Sequence, residues 1–441
     1  MSRFTKDTFI TFVAKIVQLI IGIGISVIIA RSLGPEGKGI YSLAILMPTL
    51  LILFTQLGIG PASVFYIGRK EYPIKEIFGA NIIFSIIISI IATGIGLIIS
   101  LFFAEKLFPG VNREYLVFAL LLIPLQLFFT FVINILLGLQ EIKKYNLIHI
   151  IRSTIYLLLI AIFLLWLKSG IKAAIIAGLL SFFFGCIILF ICTKKKTDGL
   201  SFSIKRNLSK NFIAYGSKSY FGNIATFLHL RIDIWMVNIF LNPTAVGFYS
   251  VAVGLAEEIW LVSQSASIVL FPKVSSEDNA KRLKEFTPLV CRNILFITFL
   301  GALVLFLLGH WLILLFYSKN FLNAVIPFQI LLIGTVAISG SRILMSDFAG
   351  RGKPIINTYI GIISLVLNVI LNIFLIPALD ISGASLASAI SYFFLFILST
   401  IIYSRISGNK IKDIIFIKKS DFRYYKNLIF LNKNKYFNFS K

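Results

Sequence analysis

The feature that most limits the fold of this chain is a series of long apolar runs. Twelve runs reach about 18 residues or more, the length that a helix needs to cross the hydrocarbon of a bilayer. They are continuous and do not alternate with a period of two, so they indicate helices rather than barrel strands. The sequence therefore predicts an all-α, multi-pass membrane protein. The approximate limits of the runs are 9–30, 39–66, 77–103, 115–138, 146–167, 171–192, 212–240, 245–271, 288–317, 322–348, 355–376 and 382–404.

Basic residues are distributed unevenly between the segments that join these runs. With the N-terminus inside, about 33 of the 42 Lys and Arg residues fall in inside segments, seven fall outside and two lie within runs. Cytoplasmic loops of membrane proteins carry such an excess, so both termini are predicted to be cytoplasmic. The same asymmetry accounts for the net charge of +24, and we therefore expect no nucleic-acid partner.

One short segment occurs twice, half a chain apart. "ARSLGPEGKGIYSLAI" covers 30–45, and "NIFLNPTAVGFYSVAV" covers 238–253. A shift of 208 positions places Pro35 on Pro243, Gly39 on Gly247 and Tyr41 on Tyr249. Each segment ends one apolar run and opens the next, and Gly and Pro at such points end helices and permit close packing. We name these segments the N-elbow (30–45) and the C-elbow (238–253). We predict that they are outer hinges, with hinge residues Gly34, Pro35, Gly39, Pro243 and Gly247.

The repeat divides the chain into two halves of six runs each. The sequence predicts a six-helix bundle over 1–193, a basic cytoplasmic linker over 194–211, a second bundle over 212–405 and a basic cytoplasmic tail over 406–441. Because each half has an even number of runs, the halves keep one orientation and form parallel repeats around a central cavity. The tail is compatible with an anchor on the cytoplasmic leaflet and equally with a disordered, soluble segment.

Ionisable residues deep in a membrane span are costly and therefore point to function. The seventh run carries Arg231 and Asp233, and the eighth carries Glu257 and Glu258 near its centre. One glutamate can pair with Arg231 across the adjacent helix, which leaves another carboxylate free to bind H⁺ or Na⁺. Ion coupling and ion pairing are both open for Asp233, Glu257 and Glu258.

Three further cations lie in or beside the runs. Lys15 lies on a small, polar strip of the first run, which either packs against a helix or lines water. Arg342 lies about two turns from the inner end of the tenth run, from where it could also reach the membrane surface. Arg31 ends the first run on the outside, where it would receive an anion or close a helix dipole. Together with Arg231, such cations in a dry cavity favour an anionic substrate.

Nothing in the sequence indicates covalent catalysis. It contains no phosphate-binding loop, its three cysteines fall in or beside apolar runs without CxxC spacing, and its three histidines are scattered. We therefore expect no metal site and no cofactor, apart from a coupled H⁺ or Na⁺. The outer loops are short and leave no room for an extracellular catalytic domain, which weighs against a polysaccharide polymerase or ligase. The sequence predicts a transporter and not an enzyme.

The N-elbow gives the chain a family resemblance. "ARSLGPEGKGIYSLA", after a first span and opening a second, resembles the Wzx-type O-antigen flippases of the polysaccharide biosynthesis protein family. These belong to the multidrug/oligosaccharidyl-lipid/polysaccharide (MOP) exporter superfamily, which also holds the MATE drug exporters and the lipid II flippases. The two halves, the basic linker, "RID" at 231–233 and "VGFYSVA" at 246–252 extend the resemblance over most of the chain.

This resemblance implies a V-shaped pair of bundles that works by alternating access. It implies a flippase for a polyprenyl-pyrophosphate-linked oligosaccharide repeat unit, acting in the bacterial inner (plasma) membrane during O-antigen, capsule or exopolysaccharide synthesis. Membrane lipids and other polysaccharide assembly proteins are the implied partners. Cationic cavity residues of the family hold the anionic head group, and Arg231 is the best match here, followed by Lys15, Arg342 and Arg31. A MATE-like antiporter of cationic drugs, driven by H⁺ or Na⁺, is the alternative.

Overall fold

Fifteen α-helices account for most of the chain that the computed structural model describes, which is residues 3–197, 199, 201, 206–275, 279–418 and 421. Two short π-helices, Ile99–Phe103 and Ala161–Trp166, and a 3₁₀-helix, Lys319–Ala324, lie between them. The α-helices are α1 (Arg3–Thr55), α2 (Ile59–Arg69), α3 (Ile74–Ile98), α4 (Ala104–Leu107), α5 (Arg113–Leu120), α6 (Leu122–Gly138), α7 (Ile142–Ile160), α8 (Ile171–Lys194), α9 (Arg206–Phe240), α10 (Pro243–Glu257), α11 (Trp260–Ser275), α12 (Ala280–Tyr317), α13 (Val325–Gly350), α14 (Ile355–Ser407) and α15 (Ile411–Ile415).

The helices are those of a multi-pass membrane protein, as predicted. Among the described residues, eight helical segments are long and apolar enough to cross a membrane, and α10 with α11, bent by 45°, makes a ninth when the pair is taken as one span. Many large apolar side chains on these helices stay exposed, among them Ile90, Phe102, Trp166, Leu307 and Phe374. Such a surface is suited to lipid and not to water.

Two of the long helices contain a kink. In α1 the kink is at Gly34, whose φ of 69° costs glycine little because it has no Cβ. Pro35 then opens the second part of α1 with its fixed φ. In α14 the kink is at Asp380, with a φ of 54°, and this residue lines a cavity beside Asn242 of the C-elbow. Each of these two helices therefore consists of two parts that meet at a corner.

The structure differs from the predicted runs where the backbone breaks within apolar sequence. Run 39–66 is interrupted between α1 and α2, where Leu57 and Gly58 both have positive φ. Run 115–138 is divided into α5 and α6, and run 245–271 is divided after Glu257. These breaks leave the hydropathy unchanged, so a count of apolar residues does not detect them.

The predicted linker and tail also differ from the observed boundaries. Helix α9 begins at Arg206, inside the segment predicted as linker. In the predicted tail, α15 packs against α12, and Arg292 of α12 donates two hydrogen bonds, of 2.5 and 2.7 Å, to the Asp421 carboxylate. This part of the tail is docked on the protein, and the prediction for 422–441 lies outside the described residues.

The chain folds as two halves, and helix α1 makes most of the contacts between them. We name α1–α8 the N-half and α9–α15 the C-half; α1 packs against α10, and α2 packs against α9. The first part of α1 runs toward the N-elbow, and α10 starts from the C-elbow. We therefore call this end of the molecule the elbow end. The opposite end, with the start of α1 and the end of α11, is the linker end.

Candidate functional site

A cavity of about 540 Å³ lies between the halves, toward the linker end. Helix α13 lines it along its second half, from Ile338 to Ala349, and α14 lines it with Asn357, Gly361 and Leu395. The N-half contributes Lys15, and the C-half contributes the rest of the wall. The polar residues that line it include Lys15, His229, Gln264, Arg342, Ser346 and Asn357.

Two cations face this cavity. Lys15 comes from α1 and Arg342 from α13, so each half provides one. The Arg342 guanidinium lies 4.4 Å from the centre of the Trp260 ring, which holds it in place by a cation–π contact. Within the described part of the chain, neither cation forms an ion pair. The two predicted head-group residues that the structure brings together are therefore Lys15 and Arg342, and both keep their charge available.

Arg231 is engaged elsewhere. Its guanidinium makes a two-pronged contact with the Glu257 carboxylate, with an Nη2–Oε2 distance of 2.7 Å, and it also donates to the carbonyl of Leu230. This confirms the predicted pairing of Arg231 with a glutamate of the next span. Arg231 does not line the cavity. The expectation that it is the leading head-group residue is therefore not supported by its position, because its charge is already paired.

Asp233 lies at the centre of a buried polar network. Its side chain is only 1% exposed and accepts hydrogen bonds from the Tyr249 hydroxyl (2.5 Å), the Ser388 hydroxyl (3.0 Å) and the backbone amide of Ile234 (2.8 Å). None of the described cations donates to it. A buried carboxylate held by neutral donors is suited to gain a proton or a small cation.

The network continues along α14. The Asn368 amide donates to the hydroxyls of Ser388 and Ser391, at 3.4 and 3.3 Å, and Asn372 donates to the Asn368 side-chain oxygen. The His229 ring pairs with Ser391 at 2.9 Å. Sequence reasoning did not select the α14 residues. The one sequence feature that could have indicated them is their spacing. Asn368 and Asn372, and likewise Ser385, Ser388 and Ser391, follow one another at about one helical turn in otherwise apolar runs.

The remaining acid and cation of the predicted set lie apart from the cavity. Glu258 is half-buried next to the Arg231–Glu257 pair, and no hydrogen bond or ion pair to its carboxylate occurs among the described residues. Arg31 is exposed at the elbow end, where it donates to the carbonyls of Leu315 and Phe316 at the end of α12. It caps the C-terminus of a helix of the other half, whereas the sequence suggested the end of its own run, and it does not line the cavity.

The two elbows pack against each other. The carbonyl oxygen of Pro243 occupies the space where a Cβ on Gly39 would lie, and the carbonyl oxygen of Pro35 occupies the equivalent space at Gly247. The Ser42 hydroxyl donates to that of Ser250 at 3.4 Å, and these two residues are separated by the same 208 positions as the elbows. The predicted pair of separate hinges is thus one reciprocal contact, which closes the elbow end between the halves.

Comparison with known proteins assigns the chain to a family. A sequence model of the family described as polysaccharide biosynthesis protein matches residues 4–277, more than half of the chain. The chain belongs to this family. A Shigella flexneri protein named as an O-antigen transporter is 25% identical over 390 residues, covering 82% of this chain and 88% of the relative. A Haloferax volcanii protein named as a low-salt glycan biosynthesis flippase is 24% identical over 376 residues, covering 82% and 75%.

Solved structures of the MOP superfamily share the fold of this family member. The lipid II flippase MurJ, in an inward closed conformation, has a TM-score of 0.74 at 17% identity, covering 92% of this chain and 89% of MurJ. An inward-facing MATE multidrug transporter also has a TM-score of 0.74, at 15% identity, covering 89% and 94%. An outward-facing MATE transporter is less similar, with a TM-score of 0.65 at 16% identity, covering 91% and 94%. The predicted family and superfamily are confirmed.

Proposed function

We propose that this protein is a flippase for a polyprenyl-pyrophosphate-linked oligosaccharide repeat unit. It would move this lipid from the cytoplasmic to the outer leaflet of the bacterial inner membrane during surface polysaccharide synthesis. The observation that carries the proposal is the cavity with Lys15 and Arg342, two cations without an ion-pair partner among the described residues. A pyrophosphate satisfies two such cations, whereas a cationic drug would be repelled by them. The family and the names of its two relatives support this substrate class.

The proposed mechanism is alternating access between the two halves. With the twelve spans and cytoplasmic termini that the sequence predicts, the linker end would face the cytoplasm and the elbow end would face outward. The cavity then opens on the side where the lipid is made, and the reciprocal elbow contact closes the other side. This structure is more similar to the inward-facing MATE transporter than to the outward-facing one, which supports an inward-facing state. The halves would rock about this contact, while the polyprenyl tail stays in lipid.

The acids of the C-half have separate proposed roles. Glu257 keeps Arg231 charged and fixed between α9 and α10, so this pair positions the wall of the path. Asp233, held by neutral donors, and the half-buried Glu258 are the candidates to bind a coupling H⁺ or Na⁺. Binding of a cation at either site would change the charge of the C-half and so favour one conformation over the other.

A MATE-like antiporter of organic cations is the second candidate. The observation that favours it is the pair of carboxylates, Asp233 and Glu258, for which no ion pair occurs in the described part of the chain. It does not account for Lys15 and Arg342 in the cavity, since both would oppose a cationic substrate. The proposed function involves no covalent chemistry, in contrast to a polymerase or ligase.

The test is transport by the full chain in liposomes. A fluorescent polyprenyl-pyrophosphate oligosaccharide is followed by its accessibility to an external quencher, beside uptake of an organic cation dye under a pH gradient. We expect lipid movement in the wild type and its loss in Arg342→Glu, with no loss in the matched control Arg405→Glu, an exposed arginine at the linker end. Dye movement without lipid movement would overturn the proposal in favour of the antiporter.

A further inference from the structure

Lys38, in the N-elbow, is a buried cation that the proposed site does not include. It lies in the first turn after the α1 kink and is only 8% exposed. Its ammonium lies 3.5 Å from the Ser26 hydroxyl and 5.9 Å from the centre of the Tyr41 ring. No ion pair to it occurs among the described residues. Burial of an ammonium with so few partners is costly, so a structural role alone explains this lysine poorly.

The surroundings of Lys38 place it between the two halves. The Ser26 hydroxyl that it contacts also accepts a hydrogen bond, of 3.2 Å, from Tyr317 at the end of α12 in the C-half. The next residue, Gly39, packs against the backbone of the C-elbow. Lys38 therefore lies directly beneath the contact that closes the elbow end.

A polar strip on α1 leads from the cavity to Lys38. Lys15, Gln18, Gly22 and Ser26 follow one another at spacings of three or four residues, which places them on one face of the helix. Lys15 lines the cavity. A Cβ on Gly22 would meet no other atom within 4 Å, so no other element covers this face of α1 at Gly22, midway between Lys15 and Ser26. The eleven steps from Lys15 to Ser26 span about 16 Å along the helix axis.

We propose that Lys38 is a second anion site, which receives the phosphate groups of the substrate after they leave Lys15 and Arg342. The elbow contact covers it in this conformation, and separation of the elbows would expose it to the outward-facing path. A phosphate that passes from one cation to the next is never left unpaired in a low-dielectric space. This inference rests on the proposed function and adds the residue that serves release.

The experiment compares binding with transport for the full chain in liposomes. The variants are Lys38→Met, Lys38→Arg and the control Lys106→Met, an exposed lysine of α4. We expect Lys38→Met to bind polyprenyl pyrophosphate in the inner cavity as the wild type does. Its flipping rate should fall by about tenfold, the effect of one lost charge-assisted hydrogen bond. Lys38→Arg should keep most of the rate, and Lys106→Met should keep all of it.

The outcomes separate this inference from the proposed function. If Lys38→Met flips the lipid at the wild-type rate while Arg342→Glu does not flip it, the role of Lys38 is overturned and the flippase proposal stands. Absence of lipid flipping in the wild type would overturn the flippase proposal itself. A second measurement needs no transport: Lys38→Cys should react with an impermeant thiol reagent faster when Gly39→Leu holds the elbows apart. Equal, slow reaction in both chains would contradict the proposed exposure.

Discussion

The N-half and the C-half share an architecture but differ in what they bury. Tyr41 and Tyr249 occupy equivalent positions of the repeat, yet the Tyr41 hydroxyl pairs with that of Tyr156, whereas Tyr249 donates to the buried Asp233. The N-half also has a half-buried cation, Arg152, but holds it against the Phe182 ring at 4.4 Å. The repeat supplies the scaffold and the closing contact, and the departures from it mark where the chemistry lies.

The largest expected effect comes from breaking the one contact that the halves share symmetrically. Gly39→Leu places a side chain where the Pro243 carbonyl lies, so the elbows cannot close and transport should be lost. In a chain that keeps Gly39, the substitutions Ser42→Cys and Ser250→Cys should allow a disulfide to form between the elbows. In Gly39→Leu they should not. Gly94→Leu is the control, because a Cβ there meets no other atom within 4 Å. Rapid cross-linking in Gly39→Leu would show that the elbow contact is not tight.

The second effect concerns the ion pair of Arg231 with Glu257 inside the spans, which has no counterpart among the described residues of the N-half. Arg231→Gln leaves Glu257 unpaired in the membrane, so it should destabilise the fold by about 3–5 kcal/mol. Thermal unfolding of the purified protein in detergent measures this change. The swap Arg231→Glu with Glu257→Arg restores a pair at the same place and should recover much of the loss. A single variant as stable as the wild type would mean that the pair is dispensable.

The equivalent tyrosines give a smaller, matched comparison. Tyr249→Phe removes one of the three donors to Asp233, and Tyr41→Phe removes only a contact between two hydroxyls. Because hydrogen bonds to charged groups are the stronger, Tyr249→Phe should slow flipping by about tenfold and Tyr41→Phe by about threefold or less. Flipping rates under H⁺ and Na⁺ gradients are the measurement. An equal loss of flipping rate in the two variants would contradict both the distinction between the halves and ion coupling at Asp233.

The smallest effect is expected at a surface pair of the N-half. A hydrogen bond from Lys196, with an Nζ–Oε1 distance of 2.6 Å, lowers the pKa of Glu141 from its ordinary 4.5, and Lys144 acts in the same direction. The pair therefore stabilises the protein above that value, and its contribution is lost as pH falls through the lowered pKa. Lys196→Met should leave flipping unchanged and lower the thermal midpoint slightly at pH 7, and this difference should shrink as the pH falls below 4.5. A large fall in the thermal midpoint of Lys196→Met would contradict the description of this ion pair as a surface pair.

Much of the scaffold could be predicted because it depends on local sequence. Apolar runs reveal the spans, and the Gly and Pro of the elbows reveal the turn at Gly34. The pairing of Arg231 with a neighbouring glutamate also follows from sequence, because two charges in adjacent spans cannot both stay unpaired without cost. The reciprocal elbow contact could not be predicted in the same way, since it depends on how the halves meet.

The candidate site was predicted only in part. Lys15 and Arg342 were selected as cations, but nothing in the sequence shows that they share one cavity while Arg231 does not. The role of Arg31 stayed open between an anion and a helix end, because its partners, two backbone carbonyls of α12, carry no sequence signal. Asn368 and Ser388 were overlooked since single neutral polar residues are common in membrane helices and usually join helices together.

The measurement that tests the central claim most directly is the affinity of the purified protein for polyprenyl pyrophosphate and for the uncharged polyprenyl alcohol. If Lys15 and Arg342 hold the diphosphate, the charged lipid should bind at least about tenfold more tightly, the effect of about 1.4 kcal/mol. The preference should disappear in the double variant Lys15→Gln, Arg342→Gln. Equal affinity of the wild type for both lipids would contradict an anion site in this cavity.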